Sequence, residues 1–373
     1  MSQQLDRDTL ARVLWTEDIE SLSFPELVGL IEDEITDSLP DGVYQVDPRN
    51  GDLILFTSAR DRRPHDNVPE PSGKPEVERP CVICQGNTTR IVDAADLSEG
   101  FTFINENLYP ILYPFDSVGR ARGSDQGRAA SGLHFVQWTS SLHDRDWHNM
   151  PLEDCIVVMR RLAALEGKLL ADSESLFPAA EPWVGQTGYR CHGFVSIIKN
   201  YGRLVGGSLA HGHQQIAFSN ILPRRIMDDA RFASERGETF SAYLMRENPA
   251  DLLVRDYGPA VLLTPYFMRR PYDMILLVRD AGKQHVHELT DAEVAAVAEG
   301  WRDAIRAMRS IMPRIGREVA YNVIVHNGPG AGLYFEFLPY VQEIGGAENL
   351  GMFICQGNPA SVAARLREYM EKG

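Results

Sequence analysis

The run Asn200-Tyr201-Gly202-Arg203-Leu204-Val205-Gly206-Gly207-Ser208-Leu209-Ala210-His211-Gly212-His213-Gln214-Gln215 lies between two strand-like segments, 193–199 before it and 216–218 after it. Side chains alternate faces in extended backbone, so His211, His213 and Gln215 emerge on one side. Two imidazoles and an amide on one face suit either a metal or a phosphate. Gly206 and Gly207, just upstream, let backbone N–H groups approach an anion closely.

Toward the N-terminus, a helix over 151–171 carries apolar residues at Ile156, Met159, Leu162, Leu165, Leu169 and Leu170. Strand-like runs at 101–104 and 133–139 precede it. Val43-Tyr44-Gln45-Val46 and Leu53-Ile54-Leu55-Phe56 flank a turn-rich Asp47-Pro48-Arg49-Asn50-Gly51-Asp52 and read as a hairpin. Residues 1 to about 40 read as helical and acidic. There Ser23 and Glu26 bracket a capping box, and Leu27, Leu30 and Ile31 share a face. Toward the C-terminus the pattern repeats. Strands at 260–263 and 274–278 lead to a helix capped by Thr290 and Glu293 that runs through Trp301, Ile305 and Met308 to about Ile311. Strands at 320–325 and 333–338 follow, then a terminal helix from about Pro359. Each half therefore runs strands, long amphipathic helix, strands. This predicts an α+β fold of two related units with antiparallel sheets and flanking helices. The divisions are an N-terminal helical extension at 1–41, a first unit at 42–235 and a second at 236–373.

Composition narrows the function. Over 373 residues, 44% apolar and 24% charged residues describe an ordinary globular chain, which excludes disorder, collagen and coiled coil as the dominant state. No window approaches the ~20 apolar residues of a membrane helix. The polar start, MSQQLDRDTL, is no secretory signal, so a cytoplasmic protein without membrane contact is expected. A formal charge of −15 opposes nucleic-acid binding, since phosphate backbones demand a basic face. The five cysteines are an odd set in a chain read as cytoplasmic, which argues against a disulfide framework.

Cys81-Val82-Ile83-Cys84 can grip one tetrahedral zinc. A redox dithiol and inert thiols are the rival readings, and Pro80 with Gly86 suggests a turn rather than the helix start of a thioredoxin-like motif. Two further ligands are needed. His211 can be one; His143 or His148, in Ser140-Ser141-Leu142-His143-Asp144-Arg145-Asp146-Trp147-His148, can be the other. Arg60, Arg62 and Arg63 can clamp the phosphates of a nucleotide, or form an exposed charged turn. His285-Val286-His287 reads as a solvated or capping pair. His326 follows a strand of the second half and reads as a relic of a duplicated site or a substrate contact. Cys155 and Cys355 fall on apolar-periodic stretches and are assigned to the core, whereas Cys191 has no assignment.

These residues together carry a resemblance. His211-Gly212-His213-Gln214-Gln215 matches H-x-H-x-Q, and the segment from Asn200 to Ser208 matches N-x-G-x-x-x-G-x-S without a gap. Residues 81–87 match C-x-x-C-x-G-N, and Arg60 to Pro64 match R-x-x-R-P. Asn105-Glu106, Gly346-Ala347-Glu348 and Ala363-Ala364-Arg365-Leu366-Arg367 follow in order. From about Gly42 to its C-terminus the chain resembles the galactose-1-phosphate uridylyltransferase branch of the histidine triad superfamily and the related ADP-glucose phosphorylases.

The resemblance implies a double-displacement nucleotidyl transfer on a nucleoside-diphosphate sugar. His213 would be the nucleophile, and a sugar 1-phosphate or inorganic phosphate the acceptor. Gln215 would donate to a non-bridging phosphate oxygen, assisted by Ser208 and the backbone around Gly206. Asn105, Glu106, Asn200, Arg60, Arg63 and Glu348 would bind substrate. Cys81, Cys84, His211 and His143 would hold Zn2+; strand-end spacing selects His143, while distance to the following helix favours His148. It also implies a homodimer. A second metal site of some members uses an acidic residue and three histidines, and the matching positions here are Asp229, His326, Tyr334 and Glu336, which keep one histidine. Gly212 stands where members usually carry proline, which places 206–215 nearer the phosphorylase branch. Dinucleoside-polyphosphate phosphorylase is the enzymatic alternative. The others are a zinc-stabilised nucleotide-binding protein without turnover and a zinc-finger-like nucleic-acid binder, the latter opposed by the charge.

Overall fold

A computed structural model describes residues 4–35, 38–62, 81–114, 128–171 and 193–372. Its strands are β1 (Val43–Val46), β2 (Leu53–Phe56), β3 (Ile91–Asp96), β4 (Phe101–Glu106), β5 (Arg128–Ala129), β6 (Gly132–Trp138), β7 (Phe194–Tyr201), β8 (His213–Ser219), β9 (Leu253–Asp256), β10 (Ala260–Leu263), β11 (Met274–Val278), β12 (Tyr321–His326) and β13 (Tyr334–Pro339). Its helices are α1 (Arg7–Val13), α2 (Phe24–Glu34), α3 (Leu152–Ala171), α4 (Arg224–Arg236), α5 (Phe240–Glu247), α6 (Asp291–Arg314), α7 (Gly346–Asn349) and α8 (Pro359–Lys372). The α+β class and the antiparallel pairing agree with the sequence reading.

Ten strands form one sheet in the order β3-β4-β6-β8-β7-β12-β13-β11-β10-β9, and β2-β1-β5 form a small second sheet. The long sheet is a repeated unit. The first half runs β3-β4-β6-β8-β7 and the second, counted from its outer edge, β9-β10-β11-β13-β12, with β7 and β12 pairing antiparallel at the seam. Register makes the correspondence residue by residue. Ile198 faces Ile324 across the seam. Gln215 pairs with Ile198 and Glu336 pairs with Ile324, so Gln215 and Glu336 occupy matching places. By the same count His213 matches Tyr334, and Asn200 matches His326.

The long helices pack on one face of this sheet. Trp147, just ahead of α3, stacks on Trp301 of α6 with centroids 5.0 Å apart, and Gln137 of β6 donates to the Val158 carbonyl of α3 at 2.9 Å. Leu5 and Leu10 of the N-terminal extension join Cys81, Ile83, Phe101, Phe103 and Trp138 in an apolar cluster, so this segment packs beside the cysteines.

Candidate functional site

Cys81 and Cys84 sit in a tight turn in which the Gln85 N–H donates to the Cys81 carbonyl and Gly86 takes φ 77°. No helix begins there, which removes the structural context of a redox dithiol. The ligating atoms of Cys81, Cys84, His143 and His211 lie within 4.8 Å of one another. His211 Nε2–H donates to the Ser140 carbonyl at 2.7 Å, which leaves the Nδ1 lone pair toward the sulfurs. That Nδ1 is 3.7 Å from Cys81 Sγ and 3.6 Å from Cys84 Sγ, and His143 Nδ1 is 3.7 Å from Cys84 Sγ. Sulfur and nitrogen ligands sharing a tetrahedral zinc stand about 3.6 Å apart. Donor chemistry and spacing both fit that ion. His148 is not in the set; it is half-buried nearer α6, and burial pushes its imidazole down to about 4.

His213 opens β8, one strand residue from Gln214 and two from Gln215. Alternation sends Gln214 to the helical face, where it meets Gln137 and Trp147, and His213 with Gln215 to the other. His211 lies in the bend before the strand, yet its ring and that of His213 both pack against Trp138, with centroids 5.3 and 4.9 Å away. His213 Nδ1–H donates to the His211 carbonyl at 2.8 Å, leaving Nε2 as the lone-pair nitrogen. Burial pushes His213 down to about 4, so its imidazole is neutral at pH 7.

A pocket lies in front of that ring, lined by His213, Gln215, Ser208, Asn105, Glu106 and Tyr109 among others. Asn105 is a wall rather than a loose donor. Its amide reaches Thr88 and Thr89 at 2.7 Å each, and its oxygen accepts from Trp138 Nε1 at 2.7 Å. Arg60 stands at the rim, donating to the Tyr109 carbonyl at 2.8 Å, whereas Arg63 lies outside the described residues. Asn200 does not line the pocket; its oxygen accepts from Asn322 Nδ2 at 2.7 Å across the seam. Gly206 takes the left-handed conformation at φ 85° on the exposed side of the bend. Glu348 is also elsewhere, lining a separate cleft with Arg225, Arg269 and Phe353, its carboxylate accepting from the Gly345 and Ile354 N–H groups.

Beneath the segment His211–Gln215 is a feature the sequence reading missed. Lys199 of β7 is buried, and its Nζ donates to the His213 carbonyl at 3.0 Å and lies 2.9 Å from Asp146 Oδ2. Burial opposes ionisation of Asp146, but the Lys199 ammonium outweighs it and holds the carboxyl below its ordinary value. Thr139 Oγ1 links the pair to the Gly212 carbonyl at 2.9 Å. A Cβ on residue 212 would stand 2.6 Å from Asp146 Cγ, so glycine at this place makes the room for the pair. No local spacing signals the pair, because Lys199 and Asp146 lie 53 positions apart.

The four positions matching a second metal site form a closed hydrogen-bonded set. His326 Nδ1 meets Asp229 Oδ2 at 2.7 Å and Nε2 meets Glu336 Oε2 at 3.1 Å, while Tyr334 donates to Asp229 at 2.9 Å and Arg225 to Glu336 at 2.5 Å. Burial opposes charge on His326, but the two carboxylates outweigh it and lift the imidazole to about 9.

The long antiparallel sheet with its repeated strand order defines a uridylyltransferase-like α+β fold. A solved uridylyltransferase superposes with a TM-score of 0.66 at 20% identity, covering 88% of this chain and 99% of its own. An ADP-glucose phosphorylase from Arabidopsis thaliana, with bound ADP-glucose, gives 0.60 at 17% identity, covering 87% and 98%. The chain resembles, more narrowly, the galactose-1-phosphate uridylyltransferase and ADP-glucose phosphorylase family. An ADP-glucose phosphorylase of Arabidopsis thaliana is 20% identical over 353 residues, 86% of this chain and 91% of that protein. A galactose-1-phosphate uridylyltransferase of Cryptococcus neoformans var. neoformans serotype D is 24% identical over 368 residues, 89% and 91% respectively. No protein-family profile matches the chain.

Proposed function

We propose that this protein is a nucleotidyltransferase that moves a nucleoside monophosphate from a nucleoside-diphosphate sugar to a sugar 1-phosphate or to inorganic phosphate, through His213. The observation that carries this reading is the imidazole itself: neutral, anchored at Nδ1 by the His211 carbonyl, and set in a pocket wall with Ser208 and Gln215. His213 Nε2 attacks the α-phosphorus, the P–O bond to the sugar 1-phosphate breaks, and a nucleotidyl-imidazole remains. An oxygen of the acceptor phosphate then attacks the same phosphorus and returns the electron pair to Nε2. Gln215 and Ser208 donate to the charge that grows on the non-bridging oxygens. Arg60 at the rim, with Arg63, attracts the phosphates, and Asn105 and Glu106 shape the nucleoside end of the pocket. Asn200 and Gly206 act through the bend that presents Ser208.

Cys81, Cys84, His143 and His211 would hold Zn2+, which supplies rigidity to the nucleophile loop and takes no part in bond making. A homodimer completes the reading. Glu348 is remote from the His213 pocket within one chain, and the segment around it exposes Leu350 and Ile354, 80% and 62% accessible. An apolar surface of this kind suits burial against a second copy, which would bring Glu348 of one chain to the sugar bound by the other.

Brief incubation with UDP-, ADP-, GDP- and CDP-sugars in turn, followed by intact-mass spectrometry, tests the covalent step. A nucleoside-monophosphate adduct is expected with one donor, and it disappears in His213→Asn. Folded, metal-loaded protein that gives no adduct with any donor would sink the mechanism.

A further inference from the structure

Away from the pocket, on the helical face of the sheet, three groups from distant parts of the chain converge. Glu166 lies on α3 and is fully buried. His285 precedes and His287 lies within a short 3-10 turn (Val286–Glu288) ahead of α6, with their rings stacked at 5.3 Å. One ligating atom from each falls within 4.8 Å of the other two. We infer that Glu166, His285 and His287 form a metal site for a divalent first-row transition ion of the zinc type, separate from the cysteine site.

The donor set is two imidazoles and one carboxylate, borderline ligands that suit such ions. Spacing agrees. His287 Nδ1 is 3.1 Å from Glu166 Oε2 and His285 Nδ1 is 3.7 Å from Oε1. Nitrogen and oxygen ligands of a tetrahedral ion stand about 3.4 Å apart, between those two values. Partnering agrees as well. His285 Nδ1 is buried and makes no hydrogen bond among the described residues, and neither does Oδ1 of the fully buried Asn327. Asn327 is the group that orients the carboxylate, donating to Glu166 Oε1 at 2.6 Å. A buried imidazole nitrogen whose Glu166 neighbour stands 3.7 Å away, beyond hydrogen-bond reach, is poorly satisfied unless an ion between the two takes its lone pair.

Neighbouring backbone makes room for the cluster. A Cβ on Gly167 would stand 3.3 Å from His287 Cβ, so glycine lets the histidine lie against α3. His287 is 33% exposed, which gives an ion its way in and a water its place as fourth ligand. The ion would join α3 of the first half to the segment before α6 and the loop after β12. Its role is that of a clamp between the halves, because the nucleophile pocket lies on the other face of the sheet.

The test counts metal. Protein as purified is saturated with Zn2+, freed of excess, and assayed for zinc per chain by mass spectrometry. The wild type is expected to hold one equivalent more than His285→Phe, and its thermal midpoint is expected to rise on binding that equivalent. His285→Phe keeps the stacked ring and gives up the 3.7 Å contact with Glu166, so its fold is checked by circular dichroism; Glu166→Gln is expected to give the same loss of zinc. Co2+ supplies a readout independent of any variant, since the added equivalent shows d–d absorption without a thiolate charge-transfer band. Wild type that binds no more zinc than His285→Phe, or a second equivalent that carries the thiolate band, overturns the proposal.

Discussion

At the scale of single residues, the chemistry rests on which atoms are already committed. His213 has one nitrogen tied to a carbonyl 2.8 Å away, and His211 has its Nε2 tied to another at 2.7 Å, so each ring presents a defined lone pair. His211, His213, Cys81 and Cys84 were legible in the sequence because their spacings are local and their residue types are chemically rare. Lys199 and Asp146 were not. They are 53 positions apart, and a lysine in a strand looks like any solvated cation until its burial is known. The pair holds the His213 carbonyl from below, so its loss is expected to loosen the motif. Lys199→Met leaves the Asp146 carboxylate buried without its cation, a change that costs about 3–5 kcal/mol in buried pairs. The double variant with Asp146→Asn removes the orphaned charge and is expected to regain much of that stability. Urea unfolding of the two singles and the double measures the coupling. A Lys199→Met protein within about 1 kcal/mol of wild type would mean that water reaches the pair and that it does not brace the loop.

At the scale of elements, a signal complete within a few residues shows in the sequence, whereas a sparse apolar pattern does not. Both capping boxes are present: Glu26 accepts from the Ser23 N–H at 2.7 Å, and Glu293 from the Thr290 N–H at 2.8 Å. Such motifs are complete within four residues, which is why sequence shows them. By contrast β3, β9, α4 and α5 were not foreseen. α4 buries only Ile226, Asp229 and Ala230, too thin an apolar stripe to stand out by periodicity. β9 is a short edge strand with alternating exposure, Leu253 outward and Val254 inward. The helix α6 runs to Arg314, past the expected end near Ile311, and it tolerates Pro313 because that residue sits in its last turn, where one missing backbone bond costs little. Thr290→Ala strips one cap from this helix. The expected cost is about 1 kcal/mol of stability, seen as a lower unfolding midpoint, with adduct formation at His213 unchanged. A loss of adduct without a loss of stability would place the α6 start in the active site instead of the scaffold.

At the scale of the molecule, the duplication hinted at by two runs of strands, helix and strands becomes a matching of positions through strand register. His213 corresponds to Tyr334 and Gln215 to Glu336. The second half therefore carries, at the place matching His213, a phenol hydrogen-bonded to Asp229, and the one imidazole there, His326, has both nitrogens on carboxylates. Under the proposed role of His213, Glu348 has still to be explained, since it lies in the second half and off the His213 pocket. If it serves the sugar, it does so in the partner's site, and a mixing experiment decides this. If the protein forms the proposed dimer, His213→Asn and Glu348→Gln are each expected to be inactive or nearly so alone. Unfolded together in equal amounts and refolded, half of the dimers pair one variant with the other. In each such dimer one site holds both defects and the other holds neither, so activity is expected to return to about a quarter of wild type. Were Glu348 to act within its own chain, every site in the mixture would carry one defect and nothing would return. Full activity of Glu348→Gln alone would remove the residue from the sugar site altogether.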